Sequence, residues 1–233
     1  MHSPSTQPAL NILAIDSSGA ACSVALLSGT EIEQHIEQEP RRHAERVLAM
    51  MDGLLATAGI GLTRLDALAF GRGPGSFTGV RIAASVVQGA AYGADLPVVP
   101  VSTLAALAQG HFRSSGSSRV LVALDARLGE LYWGAYRLSA GDLMQAAGEE
   151  EVAAPEAVAI PADGTWSGVG SGWAVHGKVL RRHLEARLLT VTPEALCQAR
   201  DIALLAAAEL ASGRYVTPEQ TLPVYLRTRV TAR

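Results

Sequence analysis

The residues that most invite chemistry are GRGPGSFTG at 71–79, a loop holding Gly71, Gly73, Gly75 and Gly79 that runs straight into VRIAASVVQGAAYG. A glycine loop opening a helix is a common phosphate cradle, because backbone N–H groups and the positive end of the helix dipole converge on the anion. Known cradles need more than glycine. A P-loop requires G-x-x-x-x-G-K-[ST] so that a lysine reaches the terminal phosphates, and no lysine lies near this loop. The dinucleotide fingerprint G-x-G-x-x-G fits Gly71 and Gly73 and then meets Ser76, or starts at Gly73 and meets Thr78. A nucleophile elbow around Ser76 would need glycine where Pro74 and Thr78 stand. Two readings remain: anion binding, or close backbone packing permitted by glycine, with Ser76 or Thr78 capping the helix.

Other candidates are sparser. Asp16 and Ser17 end the apolar run NILAIDSS, where a carboxylate could orient a metal-bound water or a phosphate, or could cap the turn to Gly19. With the loop positions Gly73, Gly75 and Ser76 they form a set of vestigial phosphate-loop positions. His43 lacks the second histidine a helical metal pair needs at i+4, since Val47 stands there. Cys22 and Cys197 lie far apart and form no CxxC, so neither a disulfide framework nor a zinc site is indicated, and a reducing, cytosolic compartment fits. No catalytic residue, metal ligand or cofactor is assigned.

These residues must be positioned by a chain of 233 residues with 48% hydrophobic side chains and a net charge of -3, long enough to bury its own core. The charge gives no sign of a broadly basic nucleic-acid-binding protein, and no run approaches the ~18–20 apolar residues of a membrane span. Residues 1–10 read as a frayed polar tail. From Asn11 two apolar runs joined at Gly19 form a hairpin, and EIEQHIEQE alternates as an edge strand. The period then becomes helical over RRHAERVLAMMDGLLATAG, with strand LDALAF, a helix from Val80, strand LPVVPV and a helix capped by Ser102 following. The N-terminal lobe is thus α/β in the order β-β-β-α-β-α-β-α over 11–110. HFRSSGSSR marks the boundary to a second lobe, 111–233, that repeats the theme in worn form through RVLVALDAR and ELYWGAYRL. There, GDLMQAAGEEEVAAPEAVAI is expected to hold a short helix, and PEQTLPVYLRTRV to be an extended tail that docks.

The helix after the loop is apolar nearly all round, so something beyond its own sheet must cover it. Ser85, Gly89 and Gly93 recur at i, i+4, i+8 as a stripe of small residues along which another helix could approach. The covering element is either the preceding helix or a partner. Val47, Leu48, Met51 and Leu55 of the preceding helix, with Ile82, Ser85, Val86, Gly89 and Gly93, are the candidate partner surface.

Taken together, NILAIDSSGAACSVAL, LDALAFGRGPGSFTGVRI, LPVVPVSTLAALA, ALDARLGELYWGAY and PVYLR resemble the TsaB (YeaZ) family, from about Asn11 to Val230. The resemblance implies an actin/Hsp70-like (ASKHA) two-lobed fold with a reduced second copy. It also implies an accessory role in making threonylcarbamoyladenosine in tRNA. The implied partners are the catalytic paralogue TsaD, paired through the first lobe's helices, and the ATPase TsaE, with tRNA reached through the complex and a homodimer when the chain is alone. The run HAERV keeps one histidine of the paralogue's HxxxH metal pair and loses the other, which points to a scaffold. The protease label sometimes given to the family finds no nucleophile, base and orienter here. The competing reading is a stand-alone phosphohydrolase or kinase using Asp16 and the 71–79 loop.

Overall fold

A computed structural model describes residues 10–38 and 43–227, without the side chains of His43 and Ala44. The tail expected before Asn11 lies outside the described residues save Leu10, and so does the metal-ligating capacity of His43. The first lobe contains β1 (Asn11–Asp16), β2 (Cys22–Ser28), β3 (Glu31–Glu37), α1 (His43–Ala58), β4 (Ala67–Gly71), α2 (Phe77–Ala94), β5 (Val98–Val101) and α3 (Thr103–Ser115), in the order read from the sequence. Its sheet runs β3-β2-β1-β4-β5, with the hairpin strands antiparallel and β4 and β5 parallel to β1.

Both faces of this sheet are covered, which is why β1 from Ile12 to Ile15 and β4 from Ala67 to Phe70 are apolar throughout. Leu13, Ile15, Leu68 and Phe70 face α1 and α2. Ile12, Ala14, Ala67 and Ala69 face α3 and a helix that returns from the far end of the chain, α5 (Ala199–Ala211). That helix has no side-chain cap of its own, so the first lobe supplies its partners. Ser23 Oγ accepts from the Ala199 amide and Gln34 Oε1 from the Arg200 amide, each at 2.9 Å. Arg113 of α3 then holds the buried Asp201 carboxylate through two bonds of 2.9 Å.

The second lobe contains β6 (Arg119–Asp125), β7 (Leu131–Leu138), β8 (Met144–Ala146), β9 (Glu151–Ala153), β10 (Trp166–Val169), α4 (Gly172–Leu184) and β11 (Leu188–Thr192). Its sheet runs β11-β10-β6-β7-β8, with β6 and β7 antiparallel and β10 and β11 parallel to β6. It is therefore the first lobe's topology again, with β6, β7, β10 and β11 in the places of β1, β2, β4 and β5. Among the described residues it lacks a counterpart of α1.

The short helix expected in 141–160 does not form. Two short strands pair instead with opposite ends of β7, one seating buried Met144 opposite Leu138 and the other setting Val152 opposite Tyr132. Helix α4 is the element the sequence reading misses, because its buried stripe of Trp173, Gly177, Leu180 and Leu184 is interrupted by a glycine. Helix α3 continues to Ser115 and closes on Gly116 at φ 73°, so most of the serine-rich run is helical and only 116–118 separate it from β6. Among the described residues no helix is long and apolar enough to cross a membrane.

Both thiols are buried. Burial, with Asp16 and Glu37 adding to it, pushes Cys22 up to about 12, and burial also lifts Cys197 well above an ordinary thiol. The thiolate is the reactive species, so a pKa near 12 leaves about one Cys22 in ten thousand reactive at pH 8. Ellman's reagent at pH 8 is expected to leave both cysteines of the folded protein unlabelled over minutes and to label both in guanidinium chloride.

Candidate functional site

The loop after β4 crosses the β1–β2 turn at backbone-on-backbone distance. A β-carbon on Gly75 would lie 2.5 Å from the Ser18 carbonyl oxygen. One on Gly79 would overlap the Ser17 carbonyl, and one on Gly71 would overlap the Asp16 carboxylate. Hydrogen bonds fasten the crossing: the Ser76 amide donates to the Ser18 carbonyl at 2.7 Å and Ser17 Oγ donates to the Gly79 carbonyl at 2.8 Å. Gly73, at φ 98°, occupies the left-handed region, and its carbonyl accepts from the Thr103 amide at 3.0 Å.

Several of the donors an anion would need already have partners within the protein. Ser76 caps α2 by accepting from the Gly79 amide, the Val80 amide donates to the Ser76 carbonyl and the Arg72 amide to the Val101 carbonyl. Asp16 and Ser17 are fully buried, and the Asp16 carboxylate accepts from Ser18 Oγ at 2.8 Å and from the Cys197 thiol. A cleft of about 240 Å³ does open between the lobes here, lined by Gly75, Ser76 and Thr103 on one side and Asp125, Tyr132 and Ser171 on the other. Its only charged lining residues are Asp125 and Glu194. Asp125 is paired with Arg127 at 3.1 Å, and no lysine or arginine lines the cleft to receive a polyphosphate. Among the described residues no three His, Cys, Asp or Glu side chains are grouped to hold a metal ion.

The C-terminal segment locks this region. It pairs with β5 through reciprocal Val98–Val216 bonds of 2.9 and 2.8 Å, runs beside α2, and donates from the Val224 amide to the Arg72 carbonyl at 2.8 Å. Arg227 then forms an ion pair with Glu130 of the second lobe. The docking expected of this tail is thus on the 71–79 loop and across both lobes.

The outer face of α2 is open. Ser85, Gly89 and Gly93 are exposed, and a β-carbon at Gly89 or Gly93 would meet nothing within 4 Å. Beside them a groove of about 310 Å³ runs along Phe77, Arg81, Ile82 and Val86. Leu48 of α1 is 53% exposed. The remaining α1 candidates are corrected: Val47, Met51 and Leu55 are buried in the core that α1 makes with β2 and α2, so they are packing residues with no free surface. Two exposed aromatics that periodicity misses belong to the same side of the molecule, Phe77 at 66% and Tyr92 at 71%. Phe77 stands just after the cap, with the Arg81 guanidinium over its ring at 3.2 Å and Tyr225 of the tail at 6.1 Å. The helix-end position of Phe77 was the available signal.

A family model described as TsaD, tRNA N6-adenosine threonylcarbamoyltransferase, matches residues 32–230 and leaves out β1 and β2. The tRNA threonylcarbamoyladenosine biosynthesis protein TsaB of Escherichia coli K12 is 42% identical over 225 residues, 95% of this chain and 96% of that one. Its namesake in Haemophilus influenzae is 40% identical, covering 95% of each. The chain belongs to the TsaB (YeaZ) family. The crystal structure of YeaZ from Pseudomonas aeruginosa superposes with a TM-score of 0.87 at 46% identity, over 93% of this chain and all of that one. This family member keeps the glycine loop as a packing element, and α2 contributes Phe77 and Tyr92 to its accessible apolar surface.

Gly79→Ala is expected to destabilise the protein by about 3 kcal/mol or more, through overpacking against the Ser17 carbonyl. Thermal unfolding should show this as a fall of roughly 6–12 °C. Gly89→Ala, with open space at that position, should be neutral or raise the midpoint by a few degrees, since alanine is favoured over glycine in a helix by about 1 kcal/mol.

Proposed function

We propose that this chain is a non-catalytic subunit in the biosynthesis of threonylcarbamoyladenosine in tRNA, acting by holding the transferase TsaD through the outer face of α2 and the exposed edge of α1. The observation that carries the reading is the open stripe of Ser85, Gly89 and Gly93 beside the apolar groove from Phe77 to Val86. A helix with only small side chains or none along one line lets a partner backbone come close, and the apolar groove gives the approach its free energy. The ATPase TsaE joins the pair, and tRNA is met as part of that assembly in the cytoplasm. The same face supports a homodimer when the chain is alone. Residues 11–110 carry this surface, and 111–233 support it by packing α5 on the first sheet and by the tail. A stand-alone phosphohydrolase or kinase would need Asp16 at a solvent-reached phosphate site, whereas the side chain is fully buried.

Gly89→Leu tests the proposal. With no atom within 4 Å of the new β-carbon, the variant is expected to melt like the parent chain. Pairing with TsaD should weaken at least tenfold, corresponding to about 1.4 kcal/mol or more. Calorimetry with purified TsaD reads the affinity, and nucleoside mass spectrometry of tRNA from a complemented depletion strain reads the consequence. Unchanged affinity and unchanged modification would remove α2 from the interface.

A further inference from the structure

Cations are distributed unevenly over this weakly acidic chain. Among the described residues seven arginines are in ion pairs, among them Arg72 with Glu150, Arg113 with Asp201 and Arg227 with Glu130. Within the same residues Arg64, Arg81, Arg119, Arg187 and Arg200 make none and stand singly in the sequence, whereas helix α4 gathers its cations on one face. Its exposed face carries Ala174, Val175, Lys178, Arg181 and Arg182, the spacing of one side of a helix, opposite the buried Trp173, Gly177, Leu180 and Leu184. Lys178 is the protein's only lysine, and none of the three cations makes an ion pair among the described residues. No Asp or Glu occurs between Asp163 and Glu185 in a chain that has 22 of them. Glu185, at the helix end, makes no ion pair with these cations.

Complementing the helix dipole accounts for Arg181, Arg182 and His183 in the last turn. It does not account for Lys178, a turn earlier, or for the missing acids. Surface charge for solubility would be met as well by the mixed signs found elsewhere on this protein. Three unpaired cations within two turns, neighbours at i, i+3 and i+4, form instead a compact patch of one sign whose complement is a polyanion. The face presents a single exposed large apolar residue, Val175, too little for insertion into a lipid interface.

We infer that the outer face of α4, through Lys178, Arg181 and Arg182, contacts the sugar–phosphate backbone of the tRNA directly. This inference rests on the proposed role in tRNA modification. It adds a contact from the second lobe, on an element separate from the partner face of α2. The contact is electrostatic and blind to base sequence, so it positions the RNA and leaves the choice of nucleoside to the transferase.

The test compares the full chain, alone and in its complex with TsaD, with the variant Lys178→Glu/Arg181→Glu/Arg182→Glu and the neutral variant Lys178→Gln/Arg181→Gln/Arg182→Gln. Fluorescence anisotropy is measured with an unmodified ANN-decoding tRNA transcript across a salt series. Each phosphate contact contributes about 0.7–0.9 to the slope of log affinity against log salt, so the glutamine variant should lower the slope by roughly 2–3, and the glutamate variant should bind at least tenfold more weakly at low salt. All three positions are exposed, and unchanged melting curves confirm that folding is intact. An unchanged salt slope in both variants overturns the inference. So does loss of binding to phosphatidylserine vesicles with RNA affinity intact, which would make α4 a membrane contact. Modification that persists in a strain lacking the chain would instead defeat the pathway reading, whatever the RNA titration shows.

Discussion

The structure depends on one crossing of two backbones, where the 71–79 loop lies on the turn after β1. Gly75 and Gly79 touch the carbonyls of Ser18 and Ser17, and the Ser76 amide and Ser17 hydroxyl bond across the contact. This crossing fixes where β4 stops and α2 starts, and hence the direction in which α2 leaves the sheet. It also occupies the space between loop and turn and engages the Ser76 amide, both of which a phosphate there would require. The loop has a cradle's composition because close approach of a backbone and close approach of an anion make the same demand, the absence of β-carbons.

From that crossing the rest of the assembly can be traced. The Gly73 carbonyl takes the first amide of α3, and α3 with α5 covers the inner face of the first sheet. The tail returns to the Arg72 carbonyl and reaches Glu130, joining the loop to the second lobe. Arg72 itself pairs with Glu150 at 3.2 Å, and Tyr136 donates to Glu150 at 2.6 Å, so the same loop also meets the second lobe's β7. The lobes are therefore tied on both sides of a cleft that carries two carboxylates and no cation. Such a body is suited to presenting a fixed surface, which is what the proposed role as a subunit acting through its partner needs.

The first lobe was legible because its strands are short apolar runs separated by glycine and its helices carry a clear 3.6 period. The stripe Ser85, Gly89 and Gly93 was legible as a line of small residues, and the structure leaves it uncovered. Which side of α1 faces inward was not. Val47, Leu48, Met51 and Leu55 look alike as apolar residues, and only the packing of α1 on β2 beside α2 sorts Leu48 outward and the others into the core. In the second lobe, β8 and β9 have little pattern of their own and exist because β7 offers both ends of an edge, a tertiary effect that no local window contains. The charge on α4 was hidden for a related reason: a net charge of -3 averages over paired arginines elsewhere, and only the fold shows which cations stay unpaired.

The central claim, that the glycine loop is closed by its own backbone and leaves the chain to work through a surface, is tested most directly by titrating magnesium–ATP into the isolated chain in a calorimeter. The account predicts no saturable heat up to millimolar nucleotide and no release of phosphate. Micromolar, saturable binding accompanied by ATP turnover would contradict it.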